Sequence, residues 1–232
     1  MNVISFSGGK DSTAMLLMMI EKKMPIDKVI FVDTTKEFPA MYKHIEKVKK
    51  YIAPLEITTI SIKFDYYFSE YIKTKGKIGE IGYGWPNILN RWCTARKRDT
   101  INKCLKGIPK NSINRFIGIA YDEIKRMKHN KSENLKYPLV DWKMTEADCL
   151  AYCHSKGFDW DGLYDKFARV SCWCCPLSRI CELRTLYNDF PELWKELQEM
   201  DEKTFRQFRM DYSVDRLTAK FENDNKQMKL NF

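Results

Sequence analysis

The sequence predicts an α/β fold: a parallel, twisted sheet of about five strands with helices on both faces, followed by a helical C-terminal region. Three observations predict it. Short runs rich in branched and aromatic residues alternate with helix-period segments through the first half of the chain. A polar glycine turn follows the first such run directly, at Ser7–Ser12. After Asp141 the strand patterns stop and capped helical patterns take over.

In chain order, residues 2–6 read as a strand and residues 13–23 as a helix with Met15, Leu16, Met19 and Ile20 on one face. Residues 28–32 form a second strand, a helix begins near Pro39 and runs to Tyr51, and residues 55–62 form a third strand. Residues 73–86, with Gly76, Gly79, Gly82 and Gly84 beside Tyr83 and Trp85, read as a surface loop. A helix over 94–105, a strand over 115–120 and a short strand over 137–140 complete the sheet region. Thr145 caps a helix that carries Cys149 and Cys153 and ends at Gly157; helices over 182–187 and 193–200 follow, and residues 222–232 read as frayed. The expected division is residues 1–140 for the sheet domain and 141–232 for the helical region.

With 44% hydrophobic residues, the 232-residue chain can bury a core of its own. Its formal charge of +9, with clusters at 91–98 and 125–131, favours anionic partners, nucleic acid or a nucleotide among them. Lys and Glu interrupt every apolar run before it reaches the roughly 20 residues that span a bilayer, so no membrane partner is expected. No export signal is visible at the start, which makes the cytoplasm the expected compartment. Eight cysteines in a reducing compartment point to metal, cluster or redox chemistry rather than to a disulfide framework.

The loop Ser5-Phe6-Ser7-Gly8-Gly9-Lys10-Asp11-Ser12 stands where a strand hands over to a helix, so free N–H groups at the helix start face whatever the loop holds. Gly8 and Gly9 allow close backbone approach, Ser7 and Ser12 offer hydroxyls, and Lys10 adds positive charge. The spacing is not that of a Walker loop. Ser-Gly-Gly-Lys-Asp-Ser resembles the signature of the PP-loop ATP pyrophosphatases, which have an adenine nucleotide α-hydrolase-like, Rossmann-like fold. That resemblance implies ATP and Mg²⁺ at the loop, attack by a substrate oxygen on the α phosphorus, and release of pyrophosphate. It implies catalytic roles for Lys10 and Asp11, and contacts to the nucleotide from the end of the second strand, Phe31, Val32, Asp33 and Thr34.

Cys172-Trp-Cys174-Cys175-Pro176 followed by Cys181 contains a C-x-x-C and one further thiol, a knuckle that suits zinc or an iron–sulfur cluster. Cys93, inside the basic segment Arg91–Lys97, offers a fourth thiolate. Cys104, Cys149 and Cys153 are spaced as helix core positions and read as packing residues, and Cys174, beside the knuckle, reads as structural, with a spare ligand or persulfide carrier as the alternative. His44, His129 and His154 have no ligand-like spacing.

An early cysteine before a basic helix and a later C-x-x-C are together similar to the phosphoadenosine phosphosulfate reductase family, whose iron–sulfur members hold a [4Fe–4S] centre. The similarity implies Cys93, Cys172, Cys175 and Cys181 as ligands, with zinc as the alternative. Gly118-Ile119-Ala120-Tyr121-Asp122-Glu123 with Arg126 resembles the family's glycine strand and the arginine after it, so that Gly118 would approach the nucleotide and Arg126, with Arg96, the substrate phosphate. The loop here is intact where reductases carry a degraded one, and residues 226–232 contain no cysteine where reductases have a reactive one. These departures look more like the branch that installs sulfur in nucleic acid, including DNA phosphorothioation and tRNA thiolation. The expected partners are then DNA or tRNA and a sulfur donor such as a cysteine desulfurase, with a homodimer as the expected assembly. Two other readings stay open: a reductase that releases sulfite, and an ATP- and nucleic-acid-binding subunit of a modification or defence complex.

Overall fold

The computed structural model describes residues 1–74, 78–129 and 134–230; Gly76, the end of the basic run 125–131 and the last two residues lie outside the described residues. In order, the principal elements are β1 (Asn2–Phe6), α1 (Lys10–Glu21), β2 (Lys28–Asp33), α2 (Pro39–Tyr51), β3 (Ile57–Ser61), α3 (Trp92–Cys104), β4 (Asn114–Ile117), β5 (Leu135–Lys136), α4 (Pro138–Asp141), α5 (Glu146–Ser155), α6 (Leu163–Lys166), α7 (Ile180–Asp189), α8 (Pro191–Glu202) and α9 (Val214–Leu230). The five strands form one sheet in the order β3-β2-β1-β4-β5, every neighbouring pair parallel. Strand order reverses at β1, so the carboxyl ends of β1 and β4 form the switch point where open α/β sheets bind ligands.

Three local expectations are corrected. Residues 137–140 do not form a strand: Pro138 opens the helical turn α4, where its missing N–H costs nothing, and the fifth strand is Leu135–Lys136. The tail does not fray from residue 222, because α9 runs from Val214 to Leu230 and buries Val214, Leu217 and Phe221. The glycine segment is not loop throughout: residues 71–73 and 80–82 pair across an Ile72–Ile81 bridge, with Lys73 N–H donating to Glu80 O and Gly82 N–H to Tyr71 O.

The chain packs as two compact units. Met1–Asp33, Glu37–Ile62 and Lys97–Tyr164 form the first; Thr34–Lys36, Lys63–Arg96 and Asp165–Phe232 form the second. This division follows packing rather than the break expected at residue 140. In the first unit α1 is buried almost all round, and α5 packs on it through Cys149 and Cys153, one turn apart and fully buried. The capping box of Thr145 and Asp148 starts α5 as the sequence predicts. Val3, Ile30, Val32, Ile62, Ile101, Leu105 and Ile113 make a core on the sheet, with Cys104 packed against it. In the second unit the buried Trp85 donates its indole N–H to Asp201 and packs edge-on to Phe208, which ties the 63–96 segment to the C-terminal helices. No helix among the described residues is long and apolar enough to cross a membrane.

Candidate functional site

The loop after β1 is held by its own hydroxyls. Ser12 Oγ accepts the Ser7 N–H at 3.1 Å, lies 2.9 Å from Ser7 Oγ and donates to Gly9 O at 3.0 Å. Gly8 has φ +78°, and a side chain there would put a Cβ 2.6 Å from Met41 Sδ, so only glycine fits. Gly9, the N-cap of α1, supplies no side-chain cap, which leaves first-turn N–H groups for an anion. One of them, that of Lys10, donates to the Tyr164 hydroxyl at 2.9 Å.

Behind the loop stands an apolar wall that sequence reasoning missed. Trp160 donates its indole N–H to Gly8 O at 2.8 Å, and Thr13 donates to the same oxygen at 3.4 Å. With its carbonyl tied into the interior, Gly8 cannot turn that oxygen towards an anion. His44 stacks on Trp160 at 4.2 Å and meets Thr13 Oγ1 through Nε2 at 3.1 Å. It is a packing histidine, as its spacing suggested. Burial, with the Lys47 charge adding to it, pushes the His44 pKa down to about 3.

Because this pKa is depressed, the unfolded chain takes up the proton first as pH falls below about 6.5. Stability is therefore expected to drop by about 1.4 kcal/mol per pH unit from this group between pH 6.5 and 3. Urea midpoints measured across that range should show the slope reduced in His44→Phe. An identical slope in both proteins would contradict the assignment.

Lys10 is buried and paired with Asp11 at 3.0 Å and Glu146 at 2.9 Å. Burial opposes its charge, but the two carboxylates outweigh burial and hold its pKa above the usual value. Burial pushes the Asp11 pKa up; Lys10 opposes this, and Glu146 and Glu123 reinforce it. Carboxylate oxygens of Asp11, Glu123 and Glu146 lie within 4.8 Å of one another, a set of hard oxygen donors suited to Mg²⁺. Glu123 also pairs with the half-exposed Arg126. Glu146 carries no local motif and Glu123 closes the Gly118–Glu123 segment; the packing of α5 on α1 and the 3₁₀ segment Tyr121–His129 bring the two here.

Gly118, just past β4, is the second enforced glycine. A Cβ there would sit 2.8 Å from Ser12 N and 2.9 Å from Ser12 Cα, both backbone atoms at the start of α1. Gly118→Ala is expected to cost about 1–3 kcal/mol and to weaken nucleotide binding by shifting the loop. Thermal unfolding with and without ATP reads both effects, and unchanged midpoints in both conditions would contradict it.

At the end of β2, Phe31 and Val32 are core residues, Val32 within the sheet cluster, so their side chains are committed to packing. Asp33 accepts the Tyr42 hydroxyl at 2.9 Å. Thr34 belongs to the second unit, where its Oγ1 lies 3.2 Å from Cys172 Sγ.

The predicted ligand cysteines, Cys93, Cys172, Cys175 and Cys181, all belong to the second unit, and none of them forms a disulfide. Cys181 is exposed in the first turn of α7, and the other three are half-buried. Burial pushes the Cys175 thiol up, and the neighbouring Cys93 adds to the shift. Among the described residues no three cysteine sulfurs come within 4.8 Å of one another. Cys149 and Cys153 are different: burial pushes Cys149 well up and Cys153 up to about 12, and Cys153 Sγ donates to Lys10 O. Arg96, also in the second unit, has its guanidinium over Tyr67 and donates to the Tyr83 hydroxyl at 3.0 Å.

Residues 1–178 match the phosphoadenosine phosphosulfate reductase domain, and the chain belongs to that family. Among curated proteins it is 26% identical over 209 residues to an uncharacterized protein of Methanocaldococcus jannaschii, covering 85% of this chain and 41% of the relative. It is also 27% identical over 177 residues to an uncharacterized nin region protein of Escherichia phage lambda, covering 68% of this chain and 60% of the relative. The chain thus spans less than two thirds of either relative. Among solved structures it is similar to the U34-tRNA thiolase of Methanococcus maripaludis with its [4Fe-4S] cluster, at TM-score 0.44 and 17% identity over 96% of this chain and 71% of that one. It is also similar to the FMN adenylyltransferase of Candida glabrata in complex with FAD and inorganic pyrophosphate, at TM-score 0.41 and 17% identity over 74% of this chain and 53% of that one.

Proposed function

We propose that this chain cleaves ATP between the α and β phosphates and transfers the AMP group to an oxygen of a nucleic-acid substrate, which then accepts sulfur. The observation that carries this reading is the pre-shaped loop: Ser7, Ser12, Trp160 and Thr13 fix its backbone, and the uncapped start of α1 faces the bound anion. In the proposed step the substrate oxygen bonds to the α phosphorus, the bond to the bridging oxygen breaks, and pyrophosphate leaves with the electron pair. The Lys10 ammonium and the N–H groups of α1 stabilise the charge that develops on pyrophosphate. Arg126 is assigned to the substrate phosphate, and Val32 and Asp33 to the adenosine. Asp11, Glu123 and Glu146 would hold Mg²⁺, which supplies charge neutralisation at the phosphates.

Cys93, Cys172, Cys175 and Cys181 are the proposed ligands of a [4Fe–4S] cluster, near which the sulfur for transfer would be held. Four thiolates, three of them in the Cys172–Cys181 knuckle, match the four irons of such a cluster, and zinc is the alternative occupant of the same ligands.

Incubation of the chain with ATP, a sulfide source and either DNA or tRNA tests the reading. Labelled sulfur is expected in the nucleic acid, together with AMP. Sulfite released from a sulfonucleotide with a thiol donor, and no sulfur in the nucleic acid, would assign the chain to the reductases instead.

A further inference from the structure

We propose that the tyrosine cluster of the second unit, Tyr66, Tyr67, Tyr71 and Tyr83 around Arg96, is a stacking platform for unpaired bases of a single nucleic-acid strand. This deepens the nucleic-acid half of the preceding reading and rests on it. Tyr66 and Tyr67 lie in a single π-helical turn, Tyr66–Glu70, the kind of irregular turn that recurs at functional sites. Tyr71 stacks on Tyr83 at 5.3 Å and 19°, and Tyr83 stacks on the buried Trp92 at 5.6 Å and 23°. Tyr67 and Tyr66 join the array at 5.3 and 6.0 Å from Tyr71.

Arg96 lies over these rings, 4.4 Å from the centre of Tyr67, 5.3 Å from Tyr71 and 5.7 Å from Tyr83. Among the described residues it pairs with no carboxylate; tyrosine hydroxyls and ring faces are its partners. A cation left without a counter-charge over aromatic faces suits a ligand that brings both phosphate and a π surface.

Two features separate this cluster from an ordinary satellite core. Tyr66 is 43% exposed, and Tyr67, Tyr71 and Tyr83 are only half-buried. The ribbon that carries Tyr71 also exposes Ile72 and Ile81, at 61% and 60%. The geometry is also enforced from below, since a Cβ at Gly82 would fall 2.3 Å from Phe68 O. Exposed Arg91 and Arg98 stand on either side of Arg96 in sequence, and the chain carries a formal charge of +9, so a polyanion is the matching partner.

Fluorescence anisotropy with a labelled single-stranded oligonucleotide, in DNA and RNA versions, and with an abasic strand of the same length tests the proposal on the full chain. The parent protein is expected to bind the base-containing strand at least about 5-fold more tightly than the abasic one. Tyr66→Ala and Tyr71→Leu should each lower affinity for the base-containing strand by about 5- to 100-fold while leaving the slope against salt unchanged, because no phosphate contact is lost. Tyr71→Phe keeps the ring and should keep the affinity. Unaltered far-ultraviolet circular dichroism and melting midpoint identify the folded variants, and Tyr66, the most exposed ring, is the position most tolerant of change. Equal binding of base-containing and abasic strands by the parent, or parental affinity in both loss variants, would overturn the platform and leave the nucleic-acid reading standing. No binding of any strand by the parent would overturn both.

Discussion

Pyrophosphate release from ATP is expected to fall at least about 100-fold in Lys10→Ala, the range seen when one donor to a developing oxyanion is removed. Lys10 is suited to that role because it is buried, its position is fixed by Asp11 and Glu146, and its pKa lies above the usual lysine value. Sign matters here: the raised pKa keeps it charged throughout the neutral range, so its contribution should not vary between pH 6 and 9. Alanine also leaves Asp11, whose pKa burial already raises, beside Glu146 and Glu123 without a cation. Steady-state pyrophosphate assays read the effect, and ATP-induced thermal stabilisation separates lost binding from lost turnover. Release at the parental rate would remove Lys10 from the machinery.

Cys172→Ser and Cys175→Ser are each expected to remove most of the bound iron from anaerobically purified protein, whereas Cys149→Ser should retain it. The contrast separates ligand loss from general destabilisation. Cys149 and Cys153 are fully buried, and their thiols are pushed well above the ordinary range, so they remain protonated and serve as packing groups. Cys175 is half-buried beside Cys93, where a positive centre would offset the repulsion between two thiolates. ATP binding should persist in both knuckle variants, because the loop is built from Ser7 to Ser12 and its own wall. Iron equal to the parent in Cys172→Ser, or zinc in place of iron in the parent, would overturn the ligand set or its occupant.

The parts of the fold written in local pattern were legible in the sequence. β1, β2, β3 and β4 are short segments that hold branched or aromatic residues, α2 buries Met41, His44, Ile45 and Val48 at helical spacing, and Thr145 caps α5 as its motif demands. The glycine turn between β1 and α1 was legible for the same reason, since strand, turn and helix are contiguous.

What surrounds the loop was not. Trp160, Tyr164 and Glu146 reach it through tertiary packing from more than a hundred residues away, and nothing beside them in the sequence marks the destination. The short strand was misplaced because Tyr137–Val140 has strand composition, while Pro138 favours a helix start. The break at residue 140 followed a change in composition, whereas the buried Trp85 ties the middle segment to the C-terminal helices. Val32 stands at the end of its strand with its side chain in the sheet core, so its proposed contact to the nucleotide falls to its backbone.

Chromatography of the products formed from ATP labelled at the α phosphate, in the presence of Mg²⁺ and nucleic acid, tests the loop's chemistry at its root. Cleavage at the bond proposed here yields labelled AMP, free or attached to the acceptor, with pyrophosphate in equal amount. Labelled ADP with inorganic phosphate would place the cleavage one bond further out and contradict it.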